Sequence, residues 1–171
     1  MSFKNVHFGN TQEFNVIIEI PKGSEVKYEY NETTDQIQLD WIFTDGFNFP
    51  FNYGFIPETK SGDGDNLDVF ILNNQPLAIG IVTVCRAIGM IELLDRGEED
   101  NKILAVPIND PLSKKLNSIK DLPENYFDIF KKFFKELGIQ KNKKLEIKGF
   151  HDKIKAIEEI ELCNKRYNKK T

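Results

Sequence analysis

Short apolar runs rich in β-branched and aromatic residues fill the first two thirds of this 171-residue chain, and helical periodicity begins only near residue 121. Strands first and helices after is the order of a mostly-β member of the α+β class. The runs include Lys27–Tyr30, Ile37–Phe43, Leu67–Leu72, the long stretch Ile79–Leu94, and Ile103–Val106 ending at Pro107. Ile37, Leu39, Trp41 and Phe43 alternate, so they share one strand face, and the spacing places the Trp41 indole in the core. Helices are expected near 121–137 and 152–166. For the first, Asp121 with Glu124 makes a cap, Pro123 lies in the first turn, Phe127, Phe130, Phe133, Phe134 and Leu137 form the apolar stripe, and Gly138 is the C-cap. In the second, Ile154, Ile157 and Ile160 recur at helical spacing. Pattern alone does not separate a barrel from a sandwich.

Five acids stand beside these strands, in two short clusters: Asp63, Asp65 and Asp68, then Asp95 and Asp100. Carboxylate oxygens are the ligands that hard divalent ions prefer, and acids set so close repel one another unless a cation lies between them. A calcium-binding EF-hand loop is excluded, because that pattern needs an oxygen ligand at position 5, Gly at 6 and Glu at 12, where this chain has Leu67, Asp68 and Asn74. The first cluster is instead a polar loop entering the strand Leu67–Leu72, with Gly62 and Gly64 expected to bend it. The second lies on a hairpin with Gly97 near its tip, and period-two alternation puts Asp100 and Lys102 on one face. A third patch, Lys27-Tyr28-Glu29-Tyr30, places Lys27 and Glu29 together and the tyrosines opposite.

A 40% hydrophobic fraction with 14 phenylalanines supports one compact domain over 1–171, undivided by linker, repeat or low-complexity tract. No apolar stretch reaches the ~18–20 residues of a membrane span and no signal segment opens the chain, so the expected location is the cytoplasm, with no membrane partner. Cys85 and Cys163 are too few for a disulfide framework, and His7 and His151 lack ligand spacing. Residues 131–171 carry 13 Lys/Arg against 6 Asp/Glu. No aromatic stacking platform accompanies those lysines, so a packed helix with a lysine fringe is expected and nucleic acid is not.

The string Asp63-Gly-Asp-Asn-Leu-Asp68 resembles the acidic signature of the soluble family I inorganic pyrophosphatases. Ile18-Glu19-Ile20-Pro21, Lys27-Tyr28-Glu29, Pro50 to Pro57, Asp95 to Lys102 and Ala105-Val106-Pro107 resemble further family segments in the family's order, from about residue 14 to 165. The resemblance implies a small, closed, mostly antiparallel β-barrel, OB-like with a five-stranded core, carrying two main helices. It implies Mg²⁺-dependent hydrolysis of inorganic pyrophosphate by direct attack of a metal-bound water, with several ions per site and Ca²⁺ inhibitory. By the same resemblance Asp63, Asp68 and Asp100 bind the first metal, Asp68 reaches the second, Asp95 and Asp100 hold a third, and Glu29 serves a further one. Asp65 is the implied general base; Lys27, Tyr53 and Lys102 contact phosphate, with Glu19 in the outer layer. A homo-oligomer, commonly a hexamer, is implied as well.

Three positions depart from the family. Trp41 stands where a phosphate-binding arginine is usual, Leu137-Gly138 where a Tyr-Lys pair is usual, and the following loop is one residue shorter. Lys141, Lys143 and Lys144 follow closely, and one of them is a candidate to reach the phosphate site. Impaired hydrolysis, with a role in binding metal or phosphate or in acting on another diphosphate, is the alternative these departures raise.

Overall fold

The computed structural model describes residues 2–169; Met1, Lys170 and Thr171, which the one-domain expectation includes, lie outside it. Its centre is a ring of five strands. β1 (Phe14–Ile20) pairs antiparallel with β4 (Asn52–Ile56), and β4 pairs antiparallel with β5 (Leu67–Ile71). β5 runs parallel to β8 (Lys102–Pro107), β8 pairs antiparallel with β6 (Val82–Asp95), and β6 returns to β1 and closes the circle. The single parallel step arises because the chain leaves β5, runs out along β6, and turns back through the short β7 (Glu98–Glu99) before entering β8. The closed, mostly antiparallel five-stranded ring implied by the resemblance is therefore present.

β6 can serve so many neighbours because it is 14 residues long. Its start pairs with β1, its middle with β8, and its far end with β9 (Leu145–Asp152). A slip in register at Ala87/Gly89 makes Ile88 an extra residue and bends β6 around the ring, while at Glu92/Leu93 the extra residue is Lys148 of β9.

Alternation along the strands divides the core in two. Phe70, Leu104 and Val106 point to a cluster with Ile20, Phe49, Tyr53, Ile91 and Leu93, while Val69, Ile71, Ile103 and Ala105 point to one with Val16, Ile18, Leu67 and Met90. Helix α1 (Asn125–Gln140) closes the first with Phe130, Phe133, Phe134 and Leu137. Helix α2 (Lys153–Asn168) closes the second with Ala156, Ile160 and Cys163. Ile154 stays outside, 69% exposed. None of the helices among the described residues is long and apolar enough to cross a membrane.

Three local expectations need correction. Asp121 does not cap α1; it closes a separate 3₁₀ turn, Ile119–Asp121, in a capping box with Ser118, and the residue before α1 is Glu124. Gly138 is not a C-cap but an interior helical residue, because α1 runs on to Gln140. A Cβ at 138 would lie 2.8 Å from the Lys143 carbonyl oxygen, so the glycine is there for a close approach. Trp41 is not core: with Leu39 and Ile42 it lies on β3 (Gln36–Ile42), whose only sheet partner among the described residues is β2 (Val26–Asn31), and it is 40% exposed. Among the described residues no second layer covers these side chains as one covers the ring, and Leu39 and Ile42 are 59% and 62% exposed.

Candidate active site

The hairpin β2–β3, the loop before β5, the turn after β6 and the end of α1 enclose a cleft of about 720 Å³. It is lined by ten carboxylates and five cationic side chains, so its charge is strongly negative before any partner enters.

The first acid cluster is held by a loop with a buried anchor. Thr59 Oγ1 donates to the Ile56 carbonyl at 2.5 Å and accepts the Leu67 N–H at 2.9 Å, while its carbonyl accepts from the Asn66 amide at 3.1 Å. From behind, α2 supports the loop through Lys60 N–H to the Cys163 carbonyl and Asn164 Nδ2 to the Glu58 carbonyl. Gly64, at φ +95°, supplies the left-handed bend, and Asp65 N–H donates to Asp63 Oδ1 at 3.0 Å. Gly62 does not bend this way; a Cβ there would sit 3.0 Å from the Glu99 carbonyl, so it lets the acid hairpin close in.

Asp68 follows on β5, directly across the parallel pairing from Lys102 on β8. The Lys102 ammonium reaches Asp68 Oδ2 at 2.5 Å and Asp100 Oδ1 at 2.6 Å, so the expected shared face of Asp100 and Lys102 is present. Burial would push the Lys102 ammonium down, but Asp68, Tyr53 and Asp100 outweigh it and hold its pKa well above the usual lysine value. The same ammonium lies 5.9 Å from the centre of the Tyr53 ring, whose phenol is pushed up by burial and by Asp68.

On the hairpin, Lys27 bonds Glu29 at 3.0 Å and Asp40 at 2.9 Å, which places Lys27 and Glu29 together as alternation predicts. Behind them Glu19 is buried and accepts the Tyr30 N–H at 2.7 Å. Burial first, then the charge of Asp68, pushes Glu19 up to about 8, so it carries its proton at neutral pH. Asp63 is raised to about 6, by burial and by repulsion from Asp100, Asp65 and Asp68. Asp65 is raised by burial and by Glu29, Asp68 and Asp100.

On the far wall, Asp95 pairs with Lys143 at 2.5 Å and with Arg96 at 3.0 Å, and these cations outweigh burial and hold its carboxyl below the usual range. Lys141 also enters, at 2.8 Å from Asp40. Lys144 instead pairs with exposed Glu146 outside the cleft. Every sequence-predicted site residue therefore lines the same cleft: Glu19, Lys27, Glu29, Tyr53, Asp63, Asp65, Asp68, Asp95, Asp100 and Lys102. Among the described residues no three of the acids converge as a ready-made ion cage, because Lys102, Lys27 and Lys143 stand between them.

Sequence reasoning missed Asp40, whose carboxylate joins Lys27 to Lys141, and Asn52, a fully buried amide that accepts Lys22 and Leu77 N–H groups and donates to Asn73 and Gln75. Asp40 is the extra residue where the hairpin register slips between Lys27↔Trp41 and Tyr28↔Leu39, so regular alternation would place it on the wrong face; nothing local marks Asn52.

A closed five-stranded ring with an acidic, lysine-laced cleft defines a class of protein that brings hard cations and oxyanions together. The profile of the inorganic pyrophosphatase family matches residues 16–168. The chain is 45% identical over 159 residues to the inorganic pyrophosphatase of Saccharolobus solfataricus, covering 90% of this chain and 91% of that one. It is 41% identical over 151 residues to that of Ureaplasma parvum, covering 88% and 83%. The crystal structure of an inorganic pyrophosphatase from Neisseria gonorrhoeae superposes with a TM-score of 0.92 at 33% identity, covering 98% of this chain and 99% of that one. The chain belongs to the inorganic pyrophosphatase family.

Proposed function

We propose that this chain, acting as one catalytic domain, hydrolyses inorganic pyrophosphate to two phosphates with divalent cations, Mg²⁺ first among them. The observation that carries the reading is the charge of the cleft: nine carboxylates besides the protonated Glu19, against five cations, repel a polyanion unless further cations enter with it. The donor set fits such ions. It is made of carboxylate oxygens, and the proton affinities of Asp63 and Asp65 are raised by burial first and then by repulsion among the acids, which a bound cation relieves. Asp63, Asp68 and Asp100 would hold the first ion, Asp68 the second, Asp95 and Asp100 a third, and Glu29 one carried by the substrate. When bound, divalent ions supply charge neutralisation and acidify water.

The chain's own groups do the rest. Asp65 takes the proton from the attacking water, its raised affinity bringing it nearer to neutral pH than a free carboxylate. Lys27, Tyr53 and Lys102 hold phosphate oxygens, and the ammonium of Lys102, now shared by Asp68 and Asp100, is positioned for this by β8. In the ion-free cleft Glu19 is held protonated by burial and by the charge of Asp68, and it accepts the Tyr30 N–H behind the site. The reading further includes a cytoplasmic homo-oligomer, with a hexamer favoured.

The test is phosphate release from pyrophosphate with and without Mg²⁺. Release in Mg²⁺ that stops on chelation supports the reading, as does inhibition by Ca²⁺, which is larger and less strict in geometry. Occupied ion sites with no release at millimolar pyrophosphate would overturn it.

A further inference from the structure

Three features of this chain that look unrelated in sequence come together around Lys141, which lines the cleft. The first is Trp41, the single tryptophan, on exposed β3. The second is Gly138, which lets the following loop fold back on α1: Lys143 N–H donates to the Gly138 carbonyl at 2.9 Å, and a Cβ at 138 would lie 2.8 Å from the Lys143 carbonyl. The third is Lys141, the C-cap residue that follows α1. A side chain at 138 cannot coexist with this fold-back, so the glycine and the short loop belong together.

The fold-back delivers a cation. Gln140 clasps Thr44 through both ends of its amide, accepting the Thr44 N–H at 3.3 Å and donating to the Thr44 carbonyl at 3.2 Å, and so ties the end of α1 to the end of β3. The next side chain, Lys141, then crosses to β3, with its ammonium 5.4 Å from the centre of the Trp41 ring and 2.8 Å from Asp40 Oδ2. That ring distance is one at which an indole face attracts an ammonium. The same Asp40 oxygen accepts Lys27 at 2.9 Å. Two ammonium groups thus meet at one carboxylate oxygen; Lys27 also pairs with Glu29, so the corner is balanced in charge, but its two cations stand close enough together for an oxyanion to bridge both.

We propose that Lys141 is a substrate-binding residue, its ammonium contacting the same phosphate group as Lys27, with Trp41 and Asp40 positioning it. The proposal rests on the pyrophosphate reading above. Trp41 holds the cation by its ring face, and Gly138 gives up its own side chain so that Lys141 can arrive from a different backbone position. Lys143, by contrast, is held by Asp95 on the opposite wall.

Trp41 also gives a readout independent of turnover, since its emission reports on the ammonium over its ring. In the unsubstituted chain, without divalent ions, titration with inorganic phosphate should give a saturable change in tryptophan fluorescence. In Lys141→Met that response should be lost or shifted to ~10-fold or more higher phosphate, and KM for pyrophosphate in Mg²⁺ should rise ~10–100-fold with kcat changed less than about threefold. Lys141→Arg should recover KM, and Lys144→Met, on the outside, should leave both readouts unchanged. Lys141→Gln replaces the Met variant if that one does not fold. An unsubstituted chain that hydrolyses pyrophosphate, beside a charge-neutralised variant with the same KM and the same fluorescence response, overturns the role of Lys141 and leaves the enzyme reading standing. No hydrolysis by the unsubstituted chain overturns both.

Discussion

Asp65 and Lys102 make the residue-scale argument sharpest, because each is surrounded by acids and only one is itself an acid. Asp65→Asn keeps the size of the side chain and the backbone N–H bond to Asp63, so most turnover should be lost while ion binding, measured by titration calorimetry, is largely kept. Asp68→Ala should weaken both. Lys102→Met leaves Asp68 and Asp100 facing each other without their shared cation. Its cost in chelator should be about 3 kcal/mol, the lower end for a broken buried pair because Asp68 keeps 25% of its side chain exposed. Added Mg²⁺ should return part of that stability, read by urea unfolding, since an ion can stand between the same acids. Glu19 sets a pH dependence of definite sign. Its affinity rises from 4.5 in the unfolded chain to about 8 in the fold, through burial first and Asp68 second. Between these values the folded chain holds a proton that the unfolded chain has lost, so stability is fully present below pH 4.5 and falls as pH rises through 8. Asp63, raised to about 6, has the same sign but finishes earlier. In chelator, stability should therefore fall from about pH 4.5 to about pH 8, and Glu19→Gln, which still accepts from Tyr30, should flatten that slope.

At the scale of elements, α1 and its loop carry the clearest contest of magnitudes. An alanine at 138 gains about 1 kcal/mol of helix propensity but sets a Cβ 2.8 Å from a backbone oxygen, and crowding of this kind costs about 1–3 kcal/mol. Gly138→Ala should be net destabilising in urea unfolding, and it should raise KM by pushing the Lys141 loop away from β3. A neutral or stabilising result would show that the loop gives way freely. The same region shows what sequence could and could not reveal. Helix α1 is legible from its phenylalanine stripe, and the acids near β5 and β8 from two-residue alternation, because both periods are local. The roles of Gly138 and Trp41 are not, because the atoms that decide them belong to other elements: the Lys143 carbonyl for one and the uncovered face of a two-stranded hairpin for the other. Lys141 and Asp40 stand 101 residues apart, and no spacing rule joins them. The closure of the ring was legible only through the family resemblance, since it depends on β6 meeting β1 and β8 at once.

For the whole molecule, charge and exposed apolar surface make separate predictions. The acidic cleft is a store of repulsion that lysines only partly neutralise, so millimolar Mg²⁺ should raise the melting temperature by specific binding to the folded state. NaCl at the same ionic strength should raise it less, because screening weakens repulsion without occupying a site. Equal effects of the two salts would mean that no divalent site is formed. Assembly rests on another surface. The isoleucine stripe of α2 is a poor contact face, since Ile160 is fully buried against the ring, Ile157 is half-buried and Ile154 stands outside. Ile79, Ile81 and Val82, 41%, 39% and 39% exposed, form a more continuous apolar segment leading into β6, away from the residues that line the cleft. Removing such neighbouring side chains from water on association is favourable by about 25 cal/mol per Å² of apolar area, and a patch of this kind on a small domain marks a contact surface. Light scattering at micromolar concentration should therefore give a homo-oligomer, with six copies as the expected number. Ile81→Lys should shift it toward monomer while the ring, whose core that side chain does not enter, stays folded. A monomer for the unsubstituted chain would overturn the expectation of assembly and leave the cleft chemistry untouched.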